Sequence, residues 1–314
     1  MKLHCIPILS ALFTSLVCFS NPATKISDNS PSSGIVIRWN DCEQTIDGFG
    51  IAQAGWAKEL FAFKNRKQVM DKMFGNDGLR LNILRGEIFP HYWENKEDKD
   101  FNLNDDINIE LCDSDFNNKS DDLLRRGQLW LTLEAKNKYH INKLVFSTWS
   151  APAWMKSNGK VSNGKLKPEC YQDFANYLAA FYKAYKSKGI TPYAISPSNE
   201  PGYAAPWNSS LWTADEMGKF ITSNLGPTFQ KENIPAKIIF GENPLWSVVM
   251  PQLKMVSSKD FTDTILQDYP EIKKFNLIAA GHGYSLSPDI MPIKVDKEYL
   301  KTPIIPFDAA EKAH

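Results

Sequence analysis

Asn199 and Glu200 end an apolar run, Tyr193-Ala194-Ile195-Ser196-Pro197-Ser198, and Pro201 follows at once. The run reads as a strand. A strand that delivers a carboxylate beside an amide to its C-terminal end is the layout a barrel enzyme uses for acid catalysis. A lone strand-end Glu is by default half of an ion pair. Asn199 before it and Pro201 after it tilt Glu200 toward chemistry.

The other strand-like runs end on Phe49-Gly50, Arg85-Gly86-Glu87, Trp149-Ser150, Glu242-Asn243 and His282-Gly283-Tyr284. In a barrel such positions surround one mouth. Arg85 is a candidate partner for a catalytic carboxylate, with a rim salt bridge as the plainer reading. His282 is a ligand contact or a hydrogen-bonded rim histidine. Trp149, Trp154, Tyr203, Trp207, Trp212, Trp246 and Tyr284 fall at strand ends or in the loops after them. Packing is expected to account for about half of them, and the rest suit stacking on the apolar face of a sugar. No second His or carboxylate has metal spacing beside His282, so no metal is expected. Gly48-Phe49-Gly50 lacks the length and the Lys of a phosphate loop, no Gly-x-Ser-x-Gly occurs, and no cofactor is expected.

These positions need a scaffold. Strands are expected at 44–50, 79–85, 144–149, 193–199, 237–242 and 275–282, and helices at 61–74, 127–139, 169–186, from Thr213, and at 261–274. The runs are apolar on both faces and alternate β with α, which implies a parallel sheet covered by helices. Thr213-Ala214-Asp215-Glu216 has the form of a capping box. Residues 90–121 are polar and without period, a long loop. The sheet is expected to stop after the sixth strand, with 291–314 as the sixth helix. An incomplete α/β barrel of about six βα units is the result.

Residues 1–23 read as an export signal, with Lys2 ahead of the mostly apolar Ile6–Phe19. Secretion or a periplasmic location is expected over lipid anchoring at Cys18, because Leu16-Val17 lacks the small residue such a site wants. Residues 24–34 read as a linker, 35–45 as the start of a small β side domain, and 46–314 as the barrel. No later run is long enough to span a membrane. Lys+Arg and Asp+Glu are both 36, which argues against a nucleic-acid partner. Beyond the leader, Cys42, Cys112 and Cys170 leave one disulfide or three free thiols. A monomer is expected.

Five stretches in order then resemble glycoside hydrolase family 30. They are Val36–Trp39 with Gln44–Gly50, Leu81–Arg85, Ser147–Lys156, Tyr193–Pro201 and His282–Tyr284. The resemblance implies a (β/α)8 TIM barrel, a β side domain built from both chain ends, and retaining hydrolysis of β-linked oligo- or polysaccharides. Glu200 would be the acid/base and Asn199 its substrate-contacting neighbour. Arg85, Trp149, Trp154, His282 and Tyr284 match rim positions, with Tyr203, Trp207, Glu242 and Trp246 as further candidate contacts. The family's nucleophile, a Glu in an aromatic-x-Thr/Ser-Glu setting on the seventh strand, has no match. Glu242 sits in Phe-Gly-Glu-Asn on the fifth strand, and Glu311 in a helix-like stretch. A retaining enzyme holds two carboxyls about 5 to 5.5 Å apart. The chain alone is therefore expected to be inactive, and poorly soluble through open sheet edges. Tyr203–Glu216 resembles bacterial xylanases of the family and favours xylan. β-1,6-Glucan, β-1,6-galactan and glucosylceramidase-like β-glucosidase activity stay open, as does a non-catalytic carbohydrate-binding protein.

Overall fold

The computed structural model describes residues 46–53, 56–93, 96–97, 127–246, 256–283 and 304–305. The stretches expected to be a leader, 1–23, a linker, 24–34, and part of a side domain, 35–45, lie outside these residues, as do most of the 90–121 stretch, Tyr284 and Glu311. The chain divides into two compact units, 1–46 with 311–314, and 47–310. All the described strands and helices belong to the second unit.

Among the described residues seven strands form one sheet in sequence order, every neighbour parallel. They are β1 Gly50–Ala52, β2 Ile83–Glu87, β3 Lys143–Ser147, β4 Ala194–Ser196, β5 Lys237–Asn243, β6 Leu277–Gly281 and β7 Ile304–Ile305. The helices are α1 Ala57–Ala62, α2 Arg66–Phe74, α3 Gln128–Tyr139, α4 Tyr171–Ser187, α5 Ala214–Phe220, α6 Gly226–Lys231 and α7 Ser258–Asp268. From β1 to β6, consecutive parallel strands with helices between them make the wall of an incomplete TIM barrel.

Three expectations need correction. The sheet was expected to end at six strands, with 291–314 helical, yet Ile304–Ile305 continues the ladder beside β6. Pro303 and Pro306 bracket this pair. Proline has no N–H for a ladder, so no apolar run of ordinary strand length marks it. The first strand was expected to end at Gly50 and instead begins there. A Cβ on Gly50 would lie 2.6 Å from that of Ile83, so glycine here permits the close approach that starts the pairing. The helix expected at 61–74 is two, α1 and α2, interrupted at 63–65. The capping box stands as expected: Glu216 N–H donates to Thr213 Oγ1 at 3.1 Å and Thr213 N–H to Glu216 Oε2 at 2.8 Å.

Through their apolar stretches the strands alternate. Leu84, Leu144, Phe146, Ile195, Ile238, Phe240 and Ala279 face the helices and share a core with Phe174, Tyr177, Leu178 and Phe181 of α4. Full burial of side chains this size contributes about 1.5–3 kcal/mol each. Ile83, Val145, Ala194, Ile239, Ile278 and Ala280 form a second, smaller apolar cluster on the inward face. That cluster is the floor on which the site stands.

Candidate active site

One pleat repeat above the floor the side chains turn polar. Ile83 is followed by Arg85, Val145 by Ser147, Ala194 by Ser196, and Ala280 by His282. Period two keeps each pair on one face, roughly 6.6 Å apart. Strict alternation from Ile239 would put Gly241 inward and turn Glu242 out. Instead the β5–β6 register shifts between Gly241 and Asn243, leaving Glu242 as the extra residue of a bulge. Bulges re-aim side chains. Gly241 permits this one, with φ +98° and Ala280 O only 2.5 Å from where a Cβ would sit.

Glu242 thereby enters the barrel at 0% exposure. Arg85 Nη2 donates to its Oε1, Ser196 Oγ donates to its Oε2, and Ser147 Oγ lies 3.1 Å from both oxygens. His282 Nε2 is 3.5 Å from Oε1. Burial pushes this carboxyl up, but the Arg85 guanidinium, then His282 and Ser196, outweigh it and hold it below the usual carboxylate value.

Arg85 also donates to Asn199 Oδ1 at 2.6 Å, and its guanidinium lies 4.5 Å from the centroid of the Trp149 ring. Asn199 N–H donates to Thr148 O at 2.7 Å, tying the end of β4 to that of β3. Glu200 comes next at 8% exposure, its Oε1 2.9 Å from His282 Nδ1. Its N–H donates to Glu242 O at 3.0 Å. Both glutamates have left-handed backbones, φ 48° at Glu200 and 47° at Glu242. Such conformations cost about 1–3 kcal/mol and gather at functional sites. His282 thus stands between two carboxylates and couples them, whichever ring nitrogen carries the proton.

The loops above are tied down as well. Asn243 Oδ1 accepts from Gly202 N–H at 2.8 Å, and its own N–H and C=O are both bound by Ser258 Oγ. Lys156 is 2% exposed and donates to Ser150 Oγ at 3.1 Å, Val161 O at 3.4 Å and Ser209 O. It joins the loop after β3, which carries Trp154, to the loop after β4, which carries Tyr203 and Trp207. Burial pushes its amine down to about 7.

The structure gathers Arg85, Trp149, Asn199, Glu200, Glu242 and His282 into one group. It sorts the other aromatics. Trp212 and Trp246 are buried, Trp212 against Tyr171, Phe174 and Phe220. Trp154 is partly buried and donates to Trp93 O at 3.1 Å. Trp207 is 47% exposed beside Tyr203, rings 6.4 Å apart, and these two keep open surface. Glu242 and Trp246 were expected among the substrate contacts. The structure seals both, and Glu242 serves as the anchor of Arg85. Sequence reasoning gave no role to Ser147, Ser196, Gln128 or Lys156, and named Glu87 only as the end of a strand-like run. A signal existed for the serines: each lies two residues after an inward apolar one. Among the described residues no three metal-ligating side chains gather at one point.

Comparison with known proteins settles the family. Residues 46–274 match the model of the glycosyl hydrolase family 30 TIM-barrel domain. The chain belongs to glycosyl hydrolase family 30. It is 30% identical over 251 residues to a Caenorhabditis elegans protein provisionally named glucosylceramidase 3, covering 77% of this chain and 45% of that one. It is 28% identical over 237 residues to the endo-1,6-beta-D-glucanase of Neurospora crassa, covering 70% of this chain and 45% of that one. Among solved structures it resembles the family 30 subfamily 8 xylanase Xyn30A of Clostridium acetobutylicum, with TM-score 0.59 and 25% identity over 83% of this chain and 55% of that one. The family 30 chain thus spans about half the length of the relatives it matches.

Proposed function

We propose that this family 30 barrel binds a β-linked glycan at the ends of β2 to β6 and cleaves it by the retaining route, with Glu200 as acid/base. The observation that carries the reading is the Glu200 carboxyl itself, held by His282 at 2.9 Å on a left-handed turn directly after Asn199. In the first step the Glu200 carboxyl gives its proton to the glycosidic oxygen as the C1–O bond breaks, and a second carboxyl takes the anomeric carbon. In the second step Glu200 takes a proton from water as the water oxygen attacks C1 and the bond from C1 to the second carboxyl breaks, freeing that carboxylate. His282, bridging to Glu242, supports both states of Glu200. Asn199, fixed by Arg85, offers its amide N–H to a sugar hydroxyl.

A β-glucosyl substrate is the leading class. Its support is that two relatives, matched over 77% and 70% of this chain, carry glucosylceramidase and β-1,6-glucanase names. Xylan is the second reading, favoured by the Tyr203–Glu216 stretch and by the likeness to Xyn30A. Calorimetric titration of the full chain with gentiotriose and with xylotriose separates them. Gentiotriose binding at least about tenfold tighter, roughly 1.4 kcal/mol, is expected. The reverse order transfers the proposal to xylan, and binding of neither contradicts a glycan site. Any turnover should release sugar with retained anomeric configuration by proton NMR, and inverted product contradicts the mechanism.

A further inference from the structure

We propose that Lys156 is a positioning residue: its buried amine pins the loop after β4 to the loop after β3 and so sets where Tyr203 and Trp207 stand for the bound glycan. The inference rests on the glycan reading above and adds a residue to it.

The two loops share a seam. Ser162 bridges Asn208, and Lys165 bridges Leu211. Across it Ser209 N–H donates to Val161 O at 3.0 Å, Leu211 N–H to Gly164 O at 2.9 Å and Asn163 N–H to Ser209 Oγ at 2.9 Å. Lys156 Nζ reaches both sides of this seam, Val161 O in one loop and Ser209 O in the other. Ser209 is therefore held by its carbonyl and by its amide. Its hydroxyl donates to Ala205 O at 2.9 Å and lies 3.2 Å from Trp207 O. That closes the turn on which Trp207 stands at 47% exposure, with the Tyr203 ring 6.4 Å away. Through Ser209 the amine fixes the aromatic pair that keeps open surface.

The amine does this without an ion pair. Residues 150–167 and 203–212 contain no acid. Their other charges are Lys160, Lys165 and Lys167. Lys160 and Lys165 are exposed, and Lys165 is taken by Glu216 of α5 at 2.8 Å. Among the described residues the partners of Lys156 Nζ are three neutral oxygens, Ser150 Oγ, Val161 O and Ser209 O. An ammonium donates to all three. The neutral amine donates to the two carbonyls and accepts from Ser150 O–H, which otherwise donates to Ala151 O at 2.9 Å. The pin is thus satisfied in both states, and burial, the one cause acting on it, favours the neutral one. Seated loops therefore bind fewer protons than lifted loops, whose freed lysine has the ordinary value of 10.5. Seating is strongest above that value, weakens as pH falls toward about 7, and changes no further below it. An ion-paired lysine would give the opposite slope.

The test is hydrogen exchange on the full chain, with calorimetry beside it. Peptides from 157–167 and 203–212 are followed by mass spectrometry in wild type and Lys156→Met, with α4 as internal control. Lys156→Met keeps the stem and deletes the amine. Both loops are expected to exchange about tenfold faster or more in the variant, with α4 unchanged. In wild type, loop protection corrected for intrinsic rates is expected to rise from pH 7 to pH 9, and in the variant to stay flat. Gentiotriose should bind Lys156→Met at least about tenfold more weakly, with xylotriose in its place if wild type prefers it. Loop protection equal to wild type, or loosened loops with undiminished glycan affinity, overturns the proposal and leaves the glycan reading intact. If wild type binds neither sugar, both fall. Should the variant melt early, the wild-type pH series decides: loop protection that stays flat or falls with rising pH means that Lys156 is not the pin.

Discussion

Glu242 and Glu200 end neighbouring strands, share a left-handed backbone, and both approach His282, yet they are built for opposite ends. Glu242 is sealed, with Arg85, Ser147 and Ser196 all spent on it. Glu200 has His282 at one oxygen and sits at the mouth. Glu242 holds Arg85 in place, and in the proposed function Glu200 is the carboxylate that meets the ligand. On the proposed function, the same residue type at neighbouring strand ends becomes scaffold or reagent according to how many fixed donors surround it. The β5 bulge decides which, because without it Glu242 would face the helices.

The largest way to break this contrast is Glu242→Gln. Removing one partner of a buried ion pair leaves the other charge uncompensated, so roughly 3–5 kcal/mol of unfolding free energy should disappear in urea titrations. A loss under about 1 kcal/mol would show that Glu242 is no anchor. The acid limb of stability comes next. The folded Glu242 value lies below its ordinary 4.5, so its contribution is complete above that pH and drains away as pH falls through the folded value. Wild type should lose stability on this limb more steeply than Glu242→Gln, and equal slopes in melting scans contradict the assignment.

Smaller effects sharpen the picture. Ser147→Ala and Ser196→Ala each remove a donor to a buried charge and should cost about 1.5–3 kcal/mol, read by the same titration. Glu200→Gln should change stability least, by under about 1 kcal/mol. A cost equal to that of Glu242→Gln would make the two carboxylates alike and end the comparison.

Much of the fold was open to reading because the barrel obeys simple periods. Runs apolar on both faces marked β2 to β6, and the polar residues ending them marked the mouth, so Arg85, Asn199, Glu200 and His282 could be named together. Other features depend on contacts that no local pattern carries. The inward turn of Glu242 needs a register shift against β6. The Gln128 amide, which accepts from Glu87 N–H and donates to Glu87 O, joins residues 41 positions apart. β7 is too short and too proline-bound to leave a periodic trace. Which tryptophans are open is set by tertiary packing: Trp212 and Trp207 look equivalent in sequence, and only one of them is buried.

Affinity labelling addresses the central claim, that Glu200 meets the glycan and Glu242 does not. An N-bromoacetyl β-glucosylamine places its CH2Br group where the glycosidic oxygen of a substrate would lie. A carboxylate there displaces bromide and keeps the label as an ester, without any need for turnover. Peptide mapping by mass spectrometry after labelling of the full chain should find the adduct on Glu200 and show its loss when excess gentiotriose competes. Label on Glu242, or label that gentiotriose does not protect, would contradict the account.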